Sequence, residues 1–199
     1  ALEDQCLPAN IDGLFIGGGF PERHADRLSA NQHLLTDIRE KILAGLPAYA
    51  ECGGLMVLCD SITWQNQKFH MASVIHADCT VHKKPQGRGY VKLQAGVNAL
   101  WPDSTHQQNK IIKAHEFHYS KLDALPANAE FAYRVNRGTG IDGEHDGLIV
   151  NNLLASYTHI RHTNENPWVR NFLGFVALNR QKFTSGETRS HACHPAVNQ

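Results

Sequence analysis

An α/β fold, an open and mostly parallel sheet flanked by helices, is predicted by three observations. A short apolar run, Ile11-Asp12-Gly13-Leu14-Phe15-Ile16, stops at Gly17-Gly18-Gly19, as a buried strand does on entering a tight loop. Apolar residues then recur near helical period from Ala25 to Leu43, until Gly45 and Pro47 end the pattern. Next, the short segment 47–51 runs straight into Cys52-Gly53-Gly54, and Leu55, Met56 and Leu58 begin a second helical pattern. Strands alternating with helices at these lengths imply right-handed crossovers, which place functional sites at the carboxyl ends of the strands. The Gly loop and Cys52 both fall there.

The helical stretch over 25–43 is expected in two pieces. From Trp64 to Leu100 the texture changes to short runs with Pro and Gly, including Tyr90-Val91-Lys92-Leu93, and predicts hairpins or irregular β structure. Further strands are expected over 110–117, 131–136, 147–150 and 153–160, with a last helix over 167–178. Residues 1–183 form one domain on this reading, and 184–199, which carry no pattern, a flexible tail.

At 199 residues, 42% hydrophobic and 19% charged, the chain is long enough to bury a core without disulfides or metal. Nineteen basic residues balance nineteen acidic ones, and no basic stripe is interleaved with aromatics, so no nucleic-acid partner is expected. The apolar runs fall short of a bilayer span and no signal-peptide pattern opens the chain, so no membrane partner and a cytoplasmic location are expected. Five cysteines, at 6, 52, 59, 79 and 193, show no paired spacing, which fits a reducing compartment rather than a disulfide framework.

A cysteine between a short strand and a helix led by Gly-Gly sits on a sharp turn, near a helix end that favours an anionic sulfur. Small residues at 53 and 54 let a substrate approach the backbone, and the Gly53 amide can face an oxyanion. Cys59, further along the same helix, is expected to be a buried structural residue. Gly17-Gly18-Gly19 lacks the Lys-Ser/Thr of a phosphate loop; it is expected to supply further oxyanion amides, a turn needing positive φ, or both. A thiol nucleophile needs a base, and His115, His118 and His159 are the candidates. His159 ends the run 154–158, where a strand meets its loop. His115 and His118 flank Glu116 in a string that could instead be metal-binding or structural, but with no third ligand nearby no metal is expected. His191, Cys193 and His194 fall in the tail. Lys83, Lys84 and Arg88 form a basic cluster suited to a substrate carboxylate or to plain solvation.

Four strings carry a resemblance: Asp12-Gly13-Leu14-Phe15-Ile16-Gly17-Gly18-Gly19-Phe20-Pro21-Glu22, Ala50-Glu51-Cys52-Gly53-Gly54-Leu55-Met56, His115-Glu116-Phe117-His118-Tyr119-Ser120 and Ala155-Ser156-Tyr157-Thr158-His159. In this order they resemble the cobyrinic acid a,c-diamide synthase family, whose glutaminase half is similar to this chain over residues 2–178. The resemblance implies a class I-type glutamine amidotransferase with a flavodoxin-like α/β fold. It implies Cys52 as nucleophile and His159 as its activator, with the amides of Gly18, Gly19 and Gly53 around the oxyanion. His115, Glu116, His118 and Arg88 are the supporting candidates. Many class I relatives carry Glu two residues after this His; Arg161 stands there, so a Cys-His dyad is implied, with Glu116 or Glu51 as orienting groups.

The implied substrate is glutamine, with no cofactor in this chain. ATP and magnesium belong to a synthetase domain that converts carboxylates of a corrin-type tetrapyrrole to carboxamides. That domain, and a first strand and helix of the glutaminase fold, precede Ala1 in the family and are expected to be missing or separate. The segment 83–90 only loosely follows the family's basic segment, which makes sirohaem an alternative acceptor. A stand-alone cysteine hydrolase and an inactive binding domain are the competing readings, and a homodimer is compatible with each.

Overall fold

The computed structural model describes residues 2–101 and 110–185. The chain opens with β1 (Leu14–Ile16), a 3-10 turn (Pro21–His24), α1 (Ala25–Ala30), α2 (Gln32–Leu43), β2 (Ala48–Glu51) and α3 (Gly53–Leu58). It continues through β3 (Cys59–Trp64), β4 (Gln67–His70), β5 (Ile75–Val81), β6 (Gly87–Ala95), β7 (Ile111–His118) and β8 (Ser120–Asp123). The last elements are β9 (Glu130–Arg137), β10 (His145–Val150), β11 (Leu153–Ser156), β12 (His159–Ile160) and α4 (Trp168–Ser185). The tail residues His191, Cys193 and His194 lie outside the described residues.

The helical stretch divides at Asn31, whose side chain leaves the helix to accept the Leu34 amide and cap α2. Leu34, Leu35, Ile38 and Ile42 then form the buried stripe of α2. β2 and β11 are buried at every position, the mark of strands covered on both faces, and they pair in parallel with each other, as β1 does with β2.

The α/β class holds, but the sheet is mixed rather than mostly parallel. Its order is β1-β2-β11-β10-β9-β6-β7-β12, and every pairing beyond β11 is antiparallel. The cause is legible in the side chains: β7 alternates exposed and buried residues throughout, so only one face needs cover, which an antiparallel ladder tolerates. That face packs Val91, Leu93, Ile112 and Ala114 with Phe172 and Phe175 of α4. A second sheet, ordered β4-β3-β5-β8, holds the hairpin of β3 and β4, whereas Tyr90-Val91-Lys92-Leu93 falls in β6 of the main sheet and pairs with β7 and β9. Gln65 and Asn66 at φ 51° and 63° make the tight turn between β3 and β4. The single strand expected over 153–160 is broken at 157–158, so that β11 runs in the parallel layer while β12 pairs with β7.

None of Gly17, Gly18 and Gly19 has positive φ, so the turn reading of that loop is corrected. The demand there is for close approach. A Cβ on Gly54 would meet the Ile16 carbonyl oxygen at 2.3 Å, and one on Gly53 the Gly19 oxygen at 2.5 Å. The loop after β1 thus lies directly on the start of α3. Gly54→Ala must push these backbones apart, and we expect a loss of about 1–3 kcal/mol in urea denaturation. Unchanged stability would contradict the contact.

Candidate active site

Cys52 adopts φ 47° and ψ −102°, a conformation that L residues avoid and that functional turns retain. β2 delivers it and α3 carries the chain away. The Cys52 amide donates to the Ser156 carbonyl at 2.7 Å, which extends the β2–β11 ladder into the turn. The residue is only 6% exposed, yet it lines a cleft of about 230 Å³ together with Gly19, His115 and His159, and its sulfur lies 4.0 Å from the Phe117 carbonyl oxygen. Cys59 and Cys79 differ: both are fully buried, and burial pushes the Cys79 thiol up to about 12 and Cys59 well above its ordinary value.

His159 reaches the cleft from the other side. It begins β12, in register with His115 of β7, and the two rings stack at 5.0 Å. Its Nδ1 faces Glu51 Oε2 at 3.3 Å, while Glu51 Oε1 accepts from the Tyr49 hydroxyl at 2.6 Å and from the Ile160 amide at 3.3 Å. Hydrogen bonding to the Cys52 sulfur, then to Glu51, raises the imidazole to about 10 against the opposing effect of burial. Burial alone would raise the Glu51 carboxyl, but the hydrogen bonds from His159, Tyr49 and Ile160 outweigh it and hold Glu51 below the usual carboxylate range. Cys52, His159 and Glu51 therefore meet at one place, with the imidazole set against Glu51 at 3.3 Å and sharing its cleft with the sulfur.

The turn before His159 is held by Asp146 of β10, a wholly buried carboxylate. Its Oδ1 accepts from the amides of Gly147 at 2.9 Å and Tyr157 at 3.0 Å. Its Oδ2 accepts from Thr158, from the amide at 3.0 Å and the hydroxyl at 2.6 Å. Burial raises the Asp146 carboxyl in spite of these donors, the Thr158 hydroxyl foremost among them.

The other candidates separate. Gly19 lines the cleft with nothing within 4 Å of where a Cβ would stand, whereas a Cβ on Gly18 would strike the His159 ring at 2.5 Å. Gly53 is packed against Gly19. His118 lines the cleft but is stacked on Tyr157 at 3.9 Å, with Nδ1 at 2.9 Å from the Ser120 carbonyl oxygen. Glu116 points away, accepting the amides of Thr139 and Gly140 at 2.8 and 2.9 Å, so the acid beside His159 is Glu51 and not Glu116. Arg88 is exposed on β6, paired in register with Phe117, and does not line the cleft. Among the described residues no group of His, Cys, Asp and Glu is arranged to hold a metal. Asp146 and the cleft acid Glu22 were not singled out in the sequence; an acid followed by Gly at the head of a strand was the one local hint of Asp146.

Residues 1–167 match the model of the CobB/CobQ-like glutamine amidotransferase domain. The chain is similar to cobyrinate a,c-diamide synthase of Magnetococcus marinus, 45% identical over 168 residues that cover 84% of this chain and 35% of that protein. Its counterpart in Archaeoglobus fulgidus is 38% identical over 173 residues, covering 87% of this chain and 36% of that protein. The chain thus spans about a third of the length of these curated relatives. Among solved structures, a glutamine amidotransferase superposes with TM-score 0.59 at 15% identity, covering 85% of this chain and 81% of its own. PurLQS from Thermotoga maritima gives TM-score 0.57 at 11% identity, covering 89% and 81%. At these identities the structures establish the shared fold.

The charged form of His159 is present below about pH 10 and is lost as pH rises through that value. Removing the Glu51 charge takes away one of the groups that raise it. We therefore expect Glu51→Gln to move the alkaline limb of a Cys52-dependent rate to lower pH and to cut the rate by about 10²-fold, within the range of assisted proton transfer. An unmoved limb, read from the pH profile, would remove Glu51 from the chain of groups.

Proposed function

The chain belongs to the CobB/CobQ-like glutamine amidotransferase domain family, and from that premise we propose that it hydrolyses glutamine to glutamate and ammonia with Cys52 as nucleophile and His159 as acid and base. The observation that carries the proposal is the meeting of Cys52, on its constrained turn, with the Glu51-bound imidazole of His159 in one cleft floored by Gly19.

The steps follow from these groups. The Cys52 thiolate attacks the side-chain amide carbon of glutamine, and backbone amides of the Gly18-Gly19 loop and of Gly53 face the oxyanion. As the tetrahedral adduct collapses, the carbon–nitrogen bond breaks and the His159 imidazolium gives its proton to the leaving nitrogen, releasing ammonia and leaving a γ-glutamyl thioester. The neutral imidazole then takes a proton from water, whose oxygen attacks the thioester carbon. Glutamate departs, and thiolate and imidazolium are restored. Glu51 keeps Nδ1 occupied, which directs the exchanging proton to Nε2. Arg161, two residues beyond the histidine, is not needed for this.

The relatives' names supply the acceptor in this proposal. Ammonia passes to an ATP- and magnesium-using synthetase unit, separate from these residues, that amidates carboxylates of a corrin-type tetrapyrrole, as in cobyrinate a,c-diamide synthase. Cys52→Ser is expected to abolish glutamine-dependent amidation by the complete enzyme and to leave ammonia-dependent amidation intact; equal loss of both counts against the assignment. His159→Ala should lower glutamine turnover by about 10²- to 10⁴-fold, and a near-normal rate in an ammonia-release assay would exclude it as the proton carrier.

A further inference from the structure

Glutamine presents two charges besides the amide that reacts, an α-ammonium and an α-carboxylate. A site that selects it from other primary amides needs a partner for at least one, because unpaired charge is costly to draw out of water.

Among the described residues, Glu22 is the one acid that lines the cleft holding Cys52 and His159. It lies in the 3-10 turn Pro21–His24, three residues beyond Gly19, so the loop that packs on α3 also aims this carboxylate. It is half-buried, and burial pushes its carboxyl up; the hydrogen bond acting on it comes from its own backbone amide. The neighbouring cation, Arg23, is placed over the Phe20 ring at 5.6 Å, and among the described residues no basic side chain forms an ion pair with Glu22. The Arg23 charge lowers the Glu22 carboxyl by less than burial raises it, and a partly desolvated carboxylate that faces a catalytic cleft with no ion pair is a site for a ligand cation.

We infer that Glu22 binds the α-ammonium group of the substrate amino acid, which then spans the cleft with its side-chain amide at the Cys52 sulfur. The inference rests on the glutaminase function proposed above. The cleft, about 230 Å³, is smaller than the roughly 300–1,000 Å³ of drug-sized pockets and suits one small amino acid. His115 and Tyr119 line the same cleft and offer donors to the α-carboxylate. Glu22 is thus a specificity residue: it selects amides attached to an amino acid, and the sulfur and imidazole act on whatever it admits.

The test follows alkylation of Cys52 in the 199-residue chain by 6-diazo-5-oxo-L-norleucine, an electrophile shaped like glutamine, and by iodoacetamide, which has no ammonium group. In Glu22→Gln the concentration of the diazo compound for half-maximal rate should rise about 10- to 100-fold, the range for loss of a charge-assisted hydrogen bond. Glu22→Asp should recover part of it, and iodoacetamide should react as in the wild type. On the wild-type chain, glutaramate, which keeps the amide and carboxylate but lacks the amino group, should protect Cys52 at least about 10-fold less well than glutamine. Equal protection by the two, or a half-maximal concentration unmoved in Glu22→Gln, overturns the Glu22 subsite while leaving the glutaminase function standing. If the diazo compound shows no saturation on the wild type, the glutaminase function itself fails and the subsite with it.

Discussion

The backbone at Cys52 is the constraint on which the rest of the structure depends. Holding an L residue at φ 47° and ψ −102° costs about 1–3 kcal/mol, and the surrounding elements must over-determine it. Two devices do so. The β2–β11 ladder extends into the turn through the Cys52 amide, and the carbonyl of the same residue accepts the Met56 amide to start α3. The glycines at 53 and 54 then let the loop after β1 close over the helix with no Cβ between the two backbones. The strain buys a sulfur that reaches a cleft although its residue is almost wholly buried.

The imidazole is positioned by an independent route. β11 ends at Ser156, the turn at 157–158 is wrapped around the buried Asp146 carboxylate, and β12 reverses role by pairing with β7. Tyr157 anchors this turn from beneath, stacked on His118 and hydrogen-bonded to Ser120. Sulfur and imidazole are thus supplied by two layers of one mixed sheet, the parallel part and its antiparallel extension, and Glu51 bridges them. The carboxylate set against the imidazole is that of Glu51, the residue immediately before the cysteine.

How much of this was legible in the sequence depends on range. β1, β2 and the Cys52 turn announce themselves locally, because short apolar runs that stop at glycines leave a pattern within a few residues, although β1 itself is only half-buried, with Phe15 exposed. The antiparallel half was legible as strands but not as a layer, since the pairing of β12 with β7 links residues far apart in the chain. For the same reason His115, His118 and His159 could not be told apart from residue type and spacing alone; the family resemblance singled out His159. The strand order explains the geometry, putting His159 beside Cys52 and Glu51 while stacking His118 on Tyr157. Glu51 reaches His159 across 108 residues of sequence, and Glu116, an equally eligible acid beforehand, is spent on holding the 139–140 loop. Glu22 lay in a string already noted for its glycines, and only the cleft reveals where its carboxylate stands.

Cys52 and Glu51 together keep the His159 imidazole charged at neutral pH. Nitrogen-15 NMR of labelled histidine measures this directly. The His159 resonance pair should remain that of an imidazolium at pH 8 and titrate near 10, and should titrate lower in Cys52→Ala, where the larger of the two influences is gone. A His159 ring already neutral at pH 8 in the wild type, or one indifferent to loss of the sulfur, would contradict it.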